Sequence, residues 1–274
     1  MSQSASGLPF APAAQVPRAP VASGAAGLPW WVVVPVKGGS RAKTRLRAPE
    51  GVDHSHLATA LALDTVSAAV GAVGAERVLV VTGDPGIAAL VAARQVVVVE
   101  DPGGGLNPAI AAGLARARAV DPAGSVAVLL GDVPSARSED LVVALHAAGR
   151  HDRSYLPDAD DIGTVLLAAA AGARVEPRFG SGSAQVHAAA GAARLDLVLP
   201  RLRRDVDDED SLREALCLGV GEHTARLLAH LVVPDRARHY ASEQASSQVN
   251  EHVSEQAKDI GGDRVDARLR SRPA

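Results

Sequence analysis

The chain of 274 residues is 47% apolar but only 2% aromatic, so it has room for one large domain or two small ones and must build its core from valine, leucine and alanine. Its formal net charge of -3 excludes a generally basic nucleic-acid binder, although a local cationic pocket stays open. The single cysteine, Cys217, excludes an internal disulfide; set in an apolar helical run, it is expected to be a buried thiol in a reducing cytoplasm.

Residues 1–29 are rich in Ala, Pro, Ser and Gly without periodicity, and residues 234–274 form a polar run poor in apolar anchors. Both are expected to be disordered tails. Between them residues 30–233, about two hundred, are enough for one buried core. No apolar run approaches the roughly 18 residues of a membrane span, and the N-terminus lacks a basic start with an apolar h-region. Neither membrane insertion nor secretion is expected.

In chain order, short valine-rich runs alternate with helical patterns: "WVVVPV", a helix over 53–73, "RVLVVT", a helix over 85–94, "QVVVVE", a helix over 107–120, "SVAVLL" and a helix over 138–148. Four strand-helix units in series predict a single α/β domain with a mostly parallel sheet and helices on both faces. Asp53, Asn107 and Ser138 stand where N-caps are expected, and Pro85 and Pro108 suit a first helical turn. After Arg150 the pattern loosens into strands "SYLP" and "TVLLAAA", a helix near 183–192, and closing helices over 210–218 and 221–230.

In such sheets ligands bind beyond the carboxyl ends of the strands, so the loops after strands carry the chemistry. The first, "KGGSRAKTR", is not a Walker loop, because the two required glycine places hold Lys37 and Ala42. It still gathers Lys37, Arg41, Lys43 and Arg45, which predicts an anionic ligand. "DPGGGLNPAI" sets Gly104, Gly105 and Asn107 ahead of a helix, where amides can meet a phosphate or a base edge. Asp132, in "LLGDVP", leaves an apolar strand and is the first candidate metal ligand. In "RRDVDDEDSL", Asp205 and Asp207 alternate on an extended segment and point the same way, either to share a cation or merely to precede a helix that Asp210 and Ser211 are expected to cap. Gly180 and Ser183, in "RFGSGSAQVH", either bind an anion or cap. No zinc spacing and no GxSxG elbow occurs. Cations facing aspartates suit a nucleoside triphosphate with Mg2+.

Taken in order and spacing, "VVPVKGGSRAKTRL", "GGGLNPAI", "LLGDVP", "GTVLLAA", "PRFGSGS" and "RDVDDEDSL" resemble the guanylyltransferases of deazaflavin coenzyme (F-420) biosynthesis. Actinobacterial members of that family use phosphoenolpyruvate, and archaeal ones are described as using 2-phospho-L-lactate. The resemblance implies a single-domain nucleotidyltransferase fold that condenses GTP with an enol phosphate, releases pyrophosphate and hands its guanylated product to a downstream transferase. It also implies that Thr164, Gly180 and Ser183 hold the small acid, although Asp160, Asp161 and Ile162 stand where the family is usually glycine-rich. On this reading Lys37, Arg41, Lys43 and Arg45 bind the triphosphate, with Gly104, Gly105 and Asn107 beside it. Asp132 fixes magnesium with Asp205 or Asp207, and Lys37, Lys43 and Asp132 act at the reacting phosphate. Three alternatives remain: the same enzyme using 2-phospho-L-lactate, a cytidylyl- or molybdopterin-type nucleotidyltransferase, and a non-catalytic nucleotide-binding regulator that would need no metal carboxylates.

Overall fold

Branched valines are stiff at χ1 and favour extended backbone, and a strand covered on both faces needs no polar alternation. The run from Trp30 meets both conditions: in β1 (Trp30–Pro35) every residue is buried. Each such valine contributes roughly 1.5–3 kcal/mol of burial. The computed structural model describes residues 29–38 and 46–229. The two expected tails, apart from Pro29, and the cations Arg41, Lys43 and Arg45 lie outside those residues.

Three further strand-helix units follow β1 and α1 (His54–Val73): β2 (Val78–Thr82) with α2 (Pro85–Ala92), β3 (Val97–Glu100) with α3 (Leu106–Val120), and β4 (Ser125–Leu129) with α4 (Ser138–Ala148). Then come β5 (Arg153–Pro157), β6 (Thr164–Ala169), α5 (Ser183–Ala189), β7 (Ala193–Arg194), α6 (Pro200–Arg203), α7 (Glu209–Leu218) and α8 (Glu222–Leu227). The seven strands form one sheet in the order β3-β2-β1-β4-β6-β5-β7. The pairs among β3, β2, β1 and β4 are parallel, whereas β6 runs antiparallel to both β4 and β5. One apolar layer lies between the sheet and α1, α2 and α4, and the other lies under α3 and α5. A smaller cluster joins α1, α7, α8 and Val206.

Four local expectations need correction. Asn107 and Ser138 lie inside their helices, whose N-caps are Gly105 and Arg137. The cap of α7 is Asp208, not Asp210: its carboxylate accepts from the Ser211 amide at 2.9 Å, while Ser211 Oγ accepts from the Asp208 amide at 3.0 Å. Cys217 is exposed. The buried face of α7 carries Ser211, Leu212 and Ala215, which leaves position 217 on the other side. Finally, α1 is long and apolar enough by length and composition to cross a membrane, because alanines fill the gaps between its leucines and valines. Here 67% of that apolar window is buried within the domain. Asp53 does cap α1 as expected, accepting from the Ser55 and His56 amides at 2.8 and 3.1 Å.

Candidate active site

The parallel pairing of β1 with β4 brings their carboxyl ends side by side. Just past β4 the Leu130 amide still donates to Val165 O at 3.0 Å, before the chain turns at Gly131 and Asp132. It then passes so close to β1 that a Cβ on Gly131 would lie 2.6 Å from Pro35 O. Only glycine permits that approach, and it delivers Asp132 to the sheet edge. The next turn is fixed from below: the Val133 amide donates to Thr65 Oγ1 of α1 at 3.0 Å, and Gly221 N donates to Pro134 O at 2.9 Å.

The second acidic segment is stitched to this turn by its backbone, the Val206 amide donating to Asp132 O at 2.9 Å. Val206 is fully buried beside Leu57, Leu61 and Leu212. Strand-like alternation therefore turns Asp205 and Asp207 the other way, and oxygens of Asp132, Asp205 and Asp207 lie within 4.8 Å of one another. Burial, then the charges of Asp132, Asp207 and Asp158, push the Asp205 carboxyl up to about 7. Three carboxylates this close repel, and a hard divalent cation relieves them with the oxygen donors it prefers. The donor set fits such an ion.

Asp132 also lines a cleft of about 490 Å³. Across it stand Lys37 just past β1 and Gly103, Gly104, Gly105 and Leu106 leading into α3. The three glycines have φ of 79°, 83° and 106°, a run that side chains with a Cβ resist, so the loop presents bare backbone. Asn107 was expected to face the nucleotide. Its amide is instead engaged by one backbone unit, with Nδ2 donating to Phe179 O at 3.0 Å and Oδ1 accepting from Phe179 N at 2.8 Å. That clamp ties the start of α3 to the "RFGSGS" loop across 72 positions of sequence.

Beside the acidic cluster, Asp158 closes the "DADDIG" turn by accepting from Ile162 N at 3.0 Å and Gly163 N at 2.6 Å. Arg194 and Arg203 pair with Asp161, and Arg204 with Asp160. The segment that departs from the family pattern is thus a held turn. At its end, Thr164 and Ser183 are both buried, and the Ala184 amide donates to Ile162 O at 3.1 Å, which joins the start of α5 to the start of β6. Gly180 is exposed with φ of 143°. Sequence reasoning missed His187, which is buried and lies 3.0 Å from Thr164 Oγ1. Its one signal was a spacing of four from Ser183, which puts both on one helical face.

A mostly parallel sheet, a glycine-lined cleft and three converging carboxylates at the strand ends define a nucleotidyltransferase. Residues 56–204 match the MobA-like NTP transferase domain. The chain is 49% identical over 212 residues to a phosphoenolpyruvate guanylyltransferase of Geodermatophilus obscurus, covering 75% of this chain and 96% of the relative. It is 47% identical over 213 residues to one of Salinispora arenicola, covering 76% and 97%. The chain belongs to the phosphoenolpyruvate guanylyltransferase family.

Proposed function

We propose that this enzyme condenses GTP with phosphoenolpyruvate to give enolpyruvoyl-diphospho-guanosine and pyrophosphate, a step in deazaflavin coenzyme (F-420) biosynthesis in the cytoplasm. A downstream transferase would consume the guanylated product. The observation that carries this reading is the meeting of Asp132, Asp205 and Asp207 at the rim of the glycine-lined cleft. A regulator that only binds nucleotide has no use for three carboxylates in mutual repulsion.

In the reaction a phosphate oxygen of the acid attacks the α-phosphorus of GTP. One P–O bond forms, the bond to the β-phosphate oxygen breaks, and pyrophosphate leaves with the electron pair. The attacking oxygen is already ionised at neutral pH, so no general base is required and the barrier is mainly charge repulsion and alignment. Lys37 at the cleft supports neutralisation of the triphosphate, together with Arg41, Lys43 and Arg45 of the same loop. The backbone of Gly104 and Gly105 offers a surface for the nucleotide, while Thr164, Gly180 and Ser183 would hold the acid. Asp132, Asp205 and Asp207 would hold magnesium, which when bound draws charge from the α-phosphate and the leaving group.

The test is to incubate the protein and Mg2+ with each of the four nucleoside triphosphates and either phosphoenolpyruvate or 2-phospho-L-lactate, measuring pyrophosphate. GTP with phosphoenolpyruvate should be the best pair. Faster release with CTP, or with 2-phospho-L-lactate, would overturn the substrate assignment.

A further inference from the structure

His187 sits in α5 with no path to the reacting phosphate through the reading above, yet it is 1% exposed and both ring nitrogens are engaged. The Arg178 amide points at Nε2 at 3.3 Å. A backbone N–H can only donate, so Nε2 is the acceptor and carries no proton. Burial, and secondarily the charge of Arg178, hold the imidazole below its ordinary range, which keeps it neutral. The one ring proton then lies on Nδ1, 3.0 Å from Thr164 Oγ1. Phe179 packs edge-on against the ring at 5.1 Å and Tyr155 lies on another side at 6.4 Å, so the imidazole is locked between aromatic groups.

The direction of the Thr164 bond follows. With Nδ1–H as donor, the threonine oxygen accepts, and its own hydroxyl proton is left to donate elsewhere. The strand is shaped to allow this contact. Between the pairs Leu156↔Leu166 and Pro157↔Thr164 the register slips by one, so Val165 is an extra residue and the bulge re-aims Thr164 toward α5.

We infer that His187 is a positioning residue for the acid subsite, fixing Thr164 as a hydrogen-bond donor to an oxyanion of the small substrate while holding the backbone that leads to Gly180. The inference rests on the proposed placement of the acid at Thr164, Gly180 and Ser183. Threonine unaided rotates its hydroxyl freely and can present either a proton or a lone pair. An anionic ligand has no proton to give, so a threonine whose oxygen already accepts from Nδ1–H, and whose own proton is thereby turned away from the ring, is preorganised for it. The same ring holds Arg178 N, and Asn107 holds Phe179, so the segment before Gly180 is pinned from two sides.

The full-length protein tests this with three substitutions that separate the two nitrogens. In His187→Asn the amide nitrogen takes the place of Nδ1 and can still donate to Thr164, whereas in His187→Gln the amide oxygen takes the place of Nε2 and can still accept from Arg178 N. His187→Leu keeps bulk and loses both bonds. Steady-state kinetics with each substrate varied in turn should show KM for phosphoenolpyruvate raised about tenfold in the leucine variant, with KM for GTP within about twofold. The asparagine variant should recover most of that loss and the glutamine variant little of it. If the leucine variant does not fold, the order of asparagine against glutamine still decides. Equal KM values for the acid in those two, or KM for both substrates rising together, would reduce His187 to a structural role. Thr164→Val serves as the reference: if it raises KM for the acid while no His187 variant does, the inference fails and the subsite stands. If neither moves it, the acid binds elsewhere and both fall.

Discussion

The two halves of the site are built from opposite materials. On the proposed nucleotide side an exposed Lys37, bare glycine backbone and Asp132 line a cleft, with Asp205 and Asp207 crowded against Asp132, and burial followed by like charges pushes Asp205 up to about 7. On the proposed acid side neutral groups are paired in a buried chain, Thr164 to His187 and His187 to the Arg178 amide, with Asn107 clamping the next residue. The first half holds crowded carboxylates that a bound cation would relieve, and in the second the hydrogen bonds are already made within the chain. Substitutions should therefore act through charge on one side and through geometry on the other.

The largest break in that contrast should come from Asp132→Asn, which keeps shape and removes charge at the centre of the acidic cluster. Turnover should fall at least about a hundredfold, in line with losing several kcal/mol of transition-state stabilisation. An asparagine variant with near-normal kcat would sink the role given to Asp132. Next in size is Lys37→Ala, which removes a charge-assisted phosphate contact worth about 1.5–3 kcal/mol. KM for GTP should rise roughly tenfold to a hundredfold while KM for the acid hardly moves. Both constants rising together would mean the two halves are not separable.

Ser183→Ala sharpens the other half. Loss of a neutral hydroxyl costs about 0.5–1.5 kcal/mol, so KM for phosphoenolpyruvate should rise about two- to tenfold with GTP use unchanged. No change in either constant would remove Ser183 from the acid subsite.

A smaller effect concerns stability. Asp205 is an acid whose folded pKa lies above its unfolded value, so between about pH 4 and pH 7 the folded state binds more protons and this group lowers stability as pH rises. Asp205→Asn should raise the metal-free melting temperature by at least about 3 °C at pH 8 and by less at pH 5, even as activity is lost. A uniform shift at both pH values would show that the gain does not come from ionisation. The smallest expected effect is that of a chain shortened to residues 27–235, whose melting temperature and activity should match the full chain because the removed segments carry too little apolar surface to offset ordering entropy. A clear loss in calorimetry would show that one of them docks.

Much of the frame was legible because its signals are local. Valine runs, the Asp53 cap and Pro85 at the first turn of α2 act through bonds and sterics a few residues apart, and those elements stand where the sequence puts them. Alternation likewise identified Asp205 and Asp207 as a pair. Errors arose where neighbours in space changed what a residue does. Asn107 looks like a helix start exposed to a ligand until Phe179 takes both ends of its amide. Cys217 looks buried until α7 is turned by the burial of Leu212 and Ala215. In the acidic run, Asp208 rather than Asp210 reaches the Ser211 amide, a difference of half a turn that composition does not reveal.

By itself the sequence determined the class of fold, the order of strand and helix, and the presence of Lys37 and of paired carboxylates after the strands, since each depends on periodicity or on residue type. Tertiary structure decided the antiparallel insertion of β6 between β4 and β5, the one-residue bulge at Val165 and the partnership of Thr164 with His187. Those features depend on burial and hydrogen-bond geometry, across 23 positions for Thr164 and His187, and no spacing along the chain encodes which buried donor will meet which acceptor.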